Sequence, residues 1–406
     1  MNLRINSTVG GLVLAATSTS FAQVETFHDP ELKWSTALLG EPTKIVAASE
    51  GLSFAVCWNA GPGQMIASVH GVETGELLDN TTLVSVPAVS TQDVAWSPTT
   101  NRLAVGYLSS TGEVKTRLVN TITSLPVGAE HVGDRIAFDA SGSMLVIGGF
   151  DSYVRLVDAT SGSLFRAYEF DGDLSDVAID STGGVVGACS TNGDLQLWDM
   201  ISGQTLFHHT VTGADGNPVG LSSISISAGC TYVGAGTDGL ASEVVDRGRA
   251  LVWEVATGEV LYDRQISNGG ISKVVWTSSE SELLALGTTD EDGLVFSAWD
   301  IVQDRTVVSL PPAGTNLLGG IHDFDYDRAS SVWALTTGNG TVEAFGPGLG
   351  CISDLDLSGT VDGGDLAAML ASWGKLHTNA DQNGDGFVNG IDLSYMLTNW
   401  GACNGE

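Results

Sequence analysis

The middle of the chain repeats itself at intervals of roughly 35 to 45 residues, and this period constrains the fold more than any other feature. Each copy contains short runs in which hydrophobic and polar residues alternate, the pattern of a half-buried β-strand. Turn residues such as Ala140-Ser141-Gly142 separate these runs. A second turn signal, Thr or Ser followed by Gly, precedes one more strand in several copies. Examples are Thr74-Gly75, Ser161-Gly162, Ser202-Gly203 and Thr257-Gly258.

The repeats predict four strands in each unit and about seven units. The units start near residues 44, 92, 134, 175, 221, 271 and 322. The last unit ends early, at residues 341–345, and lacks its outermost strand. Residues 32–39 precede the first full unit and have the pattern of that missing strand. A unit shared between the two ends of this region would close a ring and remove its open sheet edge.

Trp-Asp pairs close two of the strand runs, at Trp198-Asp199 and Trp299-Asp300, and Trp253-Glu254 is a variant of them. At these positions the chain resembles the WD-repeat and related β-propeller families, over roughly residues 33–347. No Gly-His pair opens the repeats, so the resemblance is to the divergent, WD-like members. It implies a mainly β fold, a closed β-propeller of about seven four-stranded blades.

The N-terminus has the pattern of a secretory signal peptide. Arg4 supplies a positive charge, residues 9–16 form an apolar stretch too short to span a bilayer, and Ser20-Phe21-Ala22 fits a cleavage site. No later segment holds 18 or more consecutive apolar residues, so we expect no membrane span. The prediction is a secreted or cell-surface-associated protein from which residues 1–22 are removed.

The balance of charge excludes two classes of partner. The chain has 16 Lys plus Arg against 48 Asp plus Glu, a net charge of −32. Such a chain lacks the basic surface that nucleic acids and anionic membranes require. The same acidity suits calcium binding.

The five cysteines fall into two groups. Cys351 and Cys403 bracket the C-terminal segment, and a disulfide between them would join its two ends. Cys57, Cys189 and Cys230 lie in apolar contexts and are expected to be small buried hydrophobic residues rather than catalytic thiols.

Two C-terminal segments, residues 354–365 and 381–392, have the spacing of calcium-binding loops. Calcium takes six to eight oxygen ligands around a tight turn. Oxygen-bearing residues occupy positions 1, 3, 5, 9 and 12 of both loops, position 6 is glycine, and position 7 offers its carbonyl. We therefore predict two calcium ions. The predicted ligands are Asp354, Asp356, Ser358, Thr360, Asp362 and Asp365, and Asp381, Asn383, Asp385, Phe387, Asn389 and Asp392.

A short amphipathic helix is predicted after each loop, ending at Gly374 and at Gly401. The two expected apolar faces are Leu366, Met369, Leu370 and Trp373, and Leu393, Met396, Leu397 and Trp400.

The paired loop-helix units resemble a type I dockerin over roughly residues 351–403. The resemblance implies a small all-α calcium-binding domain, residues 348–406, after a propeller domain of residues 23–347. Dockerins fold on calcium and bind cohesin domains, and loop positions 10 and 11 select the partner. Here those positions hold Gly363-Gly364 and Gly390-Ile391. The expected partner is a cohesin-like protein or another surface scaffold.

Catalytic motifs are missing from the sequence, which has no Gly-x-Ser-x-Gly, His-Glu-x-x-His or phosphate loop. Four aspartates precede the innermost strands of their units, and we expect them near a central channel, as solvated carboxylates or as ligands of a cation or polar molecule. They are Asp93, Asp134, Asp176 and Asp323.

Three functions remain open from the sequence. The first is a platform that binds a protein or a glycan. The second is a carbohydrate-active enzyme, a glycoside hydrolase or polysaccharide lyase, suggested because dockerins often occur in the same chain as such enzymes. The third is a structural component of the cell envelope.

Overall fold

The computed structural model describes the chain in segments. They are residues 31–38, 42–48, 53–61, 64–72, 74–85, 88–97, 99–180, 184–241, 243–277, 282–288, 294–300, 305–310, 321–327, 332–338, 340–346, 353, 360–373, 380, 388–398 and 400–402. The predicted signal peptide lies outside them.

The described chain is mainly β, with two short helices near its C-terminus. In chain order the elements are β1 (Glu31–Ala37), β2 (Pro42–Ala47), β3 (Ser53–Gly61), β4 (Gln64–Gly71), β5 (Leu77–Ser85), β6 (Ala88–Ser97), β7 (Arg102–Ser109), β8 (Val114–Asn120), β9 (Leu125–Pro126), β10 (His131–Val132), β11 (Arg135–Phe138), β12 (Met144–Gly148), β13 (Tyr153–Asp158), β14 (Ser163–Glu169), β15 (Leu174–Ile179), β16 (Val185–Ser190), β17 (Asp194–Asp199), β18 (Thr205–Thr210), β19 (Leu221–Ile226), β20 (Tyr232–Thr237), a 3-10 turn (Val244–Asp246), β21 (Arg249–Glu254), β22 (Val260–Gln265), β23 (Ile271–Trp276), β24 (Glu282–Thr288), β25 (Leu294–Asp300), β26 (Arg305–Leu310), β27 (Ile321–Asp327), β28 (Val332–Thr337), β29 (Thr341–Gly346), β30 (Thr360–Val361), α1 (Gly363–Ala371), α2 (Gly390–Thr398) and β31 (Gly401–Ala402).

Among the described residues, strands β1 to β29 form seven antiparallel sheets that follow one another along the chain, and β30 and β31 form a separate two-stranded sheet. We number them from the sheet of β2 to β5 (sheet 1) to the sheet of β27 to β29 (sheet 7). Six have four strands; in sheet 2 the fourth place is shared by β9 and β10, which pair with opposite ends of β8. The first strands begin within a few residues of the predicted unit starts. The architecture is propeller-like, as the repeats predict.

Strand β1 belongs to sheet 7 and pairs antiparallel with β29, which confirms the predicted pairing of residues 32–39 with the incomplete last unit. Trp34 of β1 also reaches sheet 1, where its Nε1 donates to the carbonyl of Val72 at 2.7 Å. Its ring stacks on His70, with centroids 6.2 Å apart. The first described strand therefore ties sheet 7 to sheet 1.

The hydrophobic core lies between neighbouring sheets. Sheets 4 and 5 share one cluster that contains Leu197 and Trp253, and sheets 3 and 4 share another that contains Leu156 and Trp198. Sheets 7 and 1 share a cluster that contains Trp34. Trp198 and Trp253 end the third strands of their sheets, where the sequence places the Trp-Asp signature. Packing is thus repeated from sheet to sheet, which is the physical reason for the sequence period.

The fourth strand of several sheets begins after a turn that requires glycine. Gly162, Gly203 and Gly258 have φ angles of 70°, 74° and 73°. A Cβ is costly in this left-handed region. The Thr/Ser-Gly signal in the sequence therefore has a backbone cause.

Candidate functional site

A cavity of about 720 Å³ is lined by the first strands of all seven sheets. In five of these strands the pairing register shifts by one residue near the strand start, and β6 has two shifts, of which the second lies between Thr91 and Asp93. Such a bulge re-aims the next side chain. The residue after the shift lines the cavity in the five strands and after the second shift of β6, and Arg135 is its counterpart in sheet 3. We call these seven residues the charged belt: Lys44, Asp93, Arg135, Asp176, Ser223, Lys273 and Asp323.

Charge alternates around the belt. The first strands contact in sequence from β2 to β27, and β27 contacts β2. Read in that order, base, acid, base and acid are followed by Ser223, then by a base and an acid. Alternation places each belt carboxylate beside at least one basic residue. Ser223 is the one position at which the described belt is neutral.

The belt acids connect one sheet to the next. Asp93 accepts from its own neighbour, Val94 N, at 2.9 Å and from Ile136 N in sheet 3 at 3.0 Å. Asp176 repeats the arrangement, with Oδ2 accepting from Ile224 N in sheet 5 at 2.9 Å. Each carboxylate therefore satisfies a backbone amide across a sheet boundary.

Two aspartates of β27 make the same connection to sheet 1. Asp323 Oδ2 accepts from Ile45 N at 3.2 Å, and Asp325 Oδ2 accepts from Ala47 N at 2.8 Å. Ser223 connects sheet 5 to sheet 6 in the same way, because its Oγ accepts from Val274 N at 3.1 Å. A hydroxyl thus replaces a carboxylate at the neutral position.

The belt bases use the opposite chemistry. Arg135 Nε donates to the carbonyl of Ser175 in sheet 4 at 2.7 Å. Lys273 Nζ lies 3.7 Å from Asp323 Oδ1 and 3.5 Å from Asp325 Oδ1, both in sheet 7. Asp93, Asp176 and Asp323 thus meet donors in the next sheet, whereas Arg135 and Lys273 meet acceptors there.

Burial shifts the ionisation of these groups. It raises the pKa of Asp176 to about 6, against the lowering effect of the Ile224 amide. Burial also raises the pKa of Asp93, although Lys44 and Arg135 oppose the shift. Burial alone would lower the pKa of Lys273. The nearby carboxylates of Asp323 and Asp325 raise that pKa by a larger amount, so it lies above its ordinary value.

Three of the four aspartates predicted near a channel line the cavity, and the fourth does not. Asp134 is buried beside Arg135, whose Nη1 lies 3.2 Å from Asp134 Oδ2. Asp134 precedes β11 as predicted, whereas Asp93, Asp176 and Asp323 lie within their strands, and in sheet 3 Arg135 takes the belt position. Sequence reasoning missed the belt as a set, because the bulges that define its positions are seen only in the pairing of the strands.

The predicted calcium loops are only partly within the described residues. Asp354, Asp356, Ser358, Asp381, Asn383, Asp385 and Phe387 lie outside them. The residues that the structure describes are Thr360, Asp362, Asp365, Asn389 and Asp392. Among described residues, no three His, Cys, Asp or Glu side chains gather as a metal site.

The described parts of the two loops have the same geometry. In the first, Asp362 N donates to Asp365 Oδ2 at 2.8 Å, and Asp362 Oδ1 accepts from Gly364 N at 2.7 Å. In the second, Asn389 N donates to Asp392 Oδ2 at 2.7 Å and Asn389 Oδ1 accepts from Ile391 N at 2.8 Å. Each pair caps the start of a helix. Positions 9 and 12 are thus held together in both copies.

Both position-12 carboxylates are fully buried. Asp365 and Asp392 have no exposed area. Beside them lies a small core in which the residues of the two halves pack together. Its buried members are Val361, Met369, Ala380, Val388 and Met396.

The predicted apolar faces are divided by the structure. Leu366 and Met369 face the small core. Leu370 and Trp373 are instead about half exposed, at 54% and 45%. Their counterparts Leu397 and Trp400 are exposed to the same degree, at 56% and 47%. Each half therefore presents one Leu and one Trp to solvent.

The cysteines of the sheets are unsuited to catalysis. Cys57 and Cys189 are buried, and burial raises the pKa of the Cys57 thiol to about 12. Cys230 is partly buried. Cys351 and Cys403 lie outside the described residues, so their disulfide stays a prediction.

In comparisons with known proteins, no family model and no curated sequence matches the chain. Among the described residues, no helix has the length and apolar character needed to cross a bilayer.

Proposed function

We propose that the chain is an exported binding protein in which a closed, seven-bladed propeller is carried by a calcium-dependent docking module. The propeller, residues 23–347, would bind a protein or glycan ligand. The module, residues 348–406, would hold two calcium ions and attach the protein to a cohesin-like or other surface scaffold. Secretion follows from the predicted signal peptide.

One observation carries the calcium proposal: a fully buried carboxylate at position 12 of both loops, held to position 9 by the same hydrogen bond. The same arrangement in both copies fits two equivalent ion sites, because positions 9 and 12 are both oxygen-bearing positions of the predicted loops. Loops rich in oxygen ligands favour calcium.

Calcium titration of the full chain tests this proposal. The Asp365→Asn and Asp392→Asn double variant keeps an oxygen to accept from the backbone amides and loses both charges. We expect calcium affinity to fall by roughly tenfold or more, because affinity in such loops follows ligand charge. Ser394→Ala, on the exposed side of α2, is the matched control. Unchanged affinity in the double variant would exclude both sites.

Exposed apolar residues support the docking role. Leu370 and Trp373 form one small patch and Leu397 and Trp400 another, at equivalent positions of the two halves. Exposed Leu and Trp side chains of this kind mark interaction surfaces. A Trp373→Ala and Trp400→Ala double variant should lose capture of purified scaffold while it retains calcium; phenylalanine at both positions should retain capture.

Shared contacts between sheets 7 and 1 support the closed propeller. Strand β1 completes sheet 7, Trp34 crosses to sheet 1, and two aspartates of β27 bind amides of β2. The enzyme alternative has less support, since the cavity carboxylates named above already bind backbone amides. Assays with polysaccharides would test it directly.

A further inference from the structure

The Lys273 side chain enters the cavity from sheet 6 and meets a set of groups that suits an ammonium ion. Its Nζ lies 3.7 Å from Asp323 Oδ1 and 3.5 Å from Asp325 Oδ1. The Phe324 ring, whose centroid is 5.7 Å away, forms another side of the site. Carboxylates and an aromatic ring together favour an organic cation.

The two carboxylates divide their oxygens between two tasks. In each, Oδ2 accepts from a backbone amide of β2, and Oδ1 is the oxygen nearest the ammonium. Their attraction to Lys273 is strengthened by their burial, since Asp323 is almost fully buried. Asp93 and Asp176 act on the same ammonium from other sheets.

We propose that Asp323, Asp325 and Phe324 form an alkylammonium site that Lys273 fills in the native protein. The site belongs to the propeller and is separate from the calcium loops. The sequence left these aspartates open as solvated carboxylates or as ligands of a cation or polar molecule, and for Asp323 the chain itself supplies a cation.

The site has a structural consequence. Lys273 lies in sheet 6, its partners lie in sheet 7, and those partners also bind sheet 1. One ammonium therefore offsets part of the negative charge of the two carboxylates that join sheet 7 to sheet 1. Truncation of Lys273 to alanine leaves Asp323 and Asp325 without this cation and opens a space of the size of the lost propylammonium group.

Amine rescue of a Lys273→Ala variant tests the proposal. We expect the thermal midpoint to fall by about 5 °C, because an unpaired buried charge is strongly destabilising. Propylammonium chloride should restore much of that loss, whereas sodium chloride at the same concentration should not. The matched control is Lys44→Ala, which removes another belt base. Propylammonium should leave the wild type and this control unchanged.

Two results would overturn the proposal: a Lys273→Ala variant as stable as the wild type, or a propylammonium effect as large on Lys44→Ala as on Lys273→Ala. A second variant covers failure to fold. Lys273→Met combined with Asp323→Asn and Asp325→Asn removes base and acids together and keeps the amide acceptors. It should fold and exceed Lys273→Met in stability; a triple variant no more stable than Lys273→Met would also refute the site.

Discussion

The sheet region and the C-terminal helix pair both repeat, but they differ in what they keep constant. In the charged belt the equivalent positions hold lysine, aspartate, arginine and serine, so that acid and base alternate between sheets. In the helix pair the equivalent positions, Asp365 and Asp392, hold the same buried acid. Alternation balances acids with bases from within the chain, whereas under our proposal the two identical acids are balanced by calcium from outside. The two regions should therefore respond differently to calcium.

Calcium removal is expected to have the largest effect and to act on one region alone. At a free concentration of about 100 times Kd, each ion stabilises its fold by roughly 2.7 kcal/mol. Chelation should therefore lower amide protection in α1 and α2 by about 100-fold per ion, because both buried acids lose their partner. Hydrogen exchange on the full chain measures this.

Protection in β12 and β16 should not change on chelation, since these strands depend on the packing between sheets. Equal loss in the strands and the helices would contradict the comparison. Unchanged protection in α1 and α2 would do so as well.

Replacement of Trp34 by alanine is expected to destabilise the sheets alone. The side chain is buried, donates to Val72 and packs on His70. Its loss should cost about 3–5 kcal/mol, as for other buried tryptophans. Chemical denaturation followed by strand signal measures the change. Lys33→Ala, on the exposed neighbour, is the control, and calcium affinity should be equal in both variants.

The Asp176→Asn variant tests the point in the belt where acid and base no longer alternate, because Asp176 is followed by the neutral Ser223 instead of by a base. A carboxyl whose folded pKa is raised to about 6 binds its proton more tightly in the folded state. Its ionisation therefore lowers stability as pH rises through 6, and the loss is absent below the unfolded pKa near 4. Asparagine should raise stability above pH 6 by about 2 kcal/mol, because it accepts from Ile224 without a charge.

Denaturation midpoints across this pH range measure the effect. Asp93 also raises the pKa of Asp176. Asp93→Asn is therefore the informative control: the charge of Asp93 is opposed by Lys44 and Arg135, so its gain should be smaller. A gain for Asp176→Asn that is the same at every pH would show that charge is not the cause.

Alanine at two glycines should give the smallest effects, with opposite signs in the two regions. Gly258 has a φ of 73°, so alanine there should cost about 1–2 kcal/mol. Gly363 starts α1, and an added Cβ meets nothing within 4 Å. Alanine at Gly363 should therefore stabilise the helix by up to about 1 kcal/mol. Thermal unfolding of each variant measures both, and a stabilised Gly258→Ala would contradict the turn geometry.

Much of the sheet region could be predicted from the sequence because its determinants are local. Alternation sets the strands, glycine at positive φ sets turns such as that at Gly203, and the unit starts match the first strands. The pairing of β1 with β29 was also predicted, because the last unit of the sequence lacked one strand and residues 32–39 had the pattern of that strand. Sheet 2 was less regular than predicted, since its fourth strand is divided into β9 and β10.

The candidate sites were predictable to a smaller extent. The loop pattern located Asp365 and Asp392, and the structure adds their burial and their hydrogen bonds to the amides at position 9. The helical period grouped Leu370 and Trp373 with Met369, but only Met369 is buried. The face that packs depends on the position of the other half, which periodicity does not contain.

The sequence by itself determined the repeated strands, their turns and the positions of the acidic loop residues, because each depends on neighbours within a few residues. Only the tertiary structure decided which residue of each first strand faces the cavity, and therefore that Arg135 rather than Asp134 joins the belt. It also decided that Lys273 meets Asp323 and Asp325. These side chains are distant in sequence, and only the packing of sheet against sheet brings their charges close enough to compensate one another.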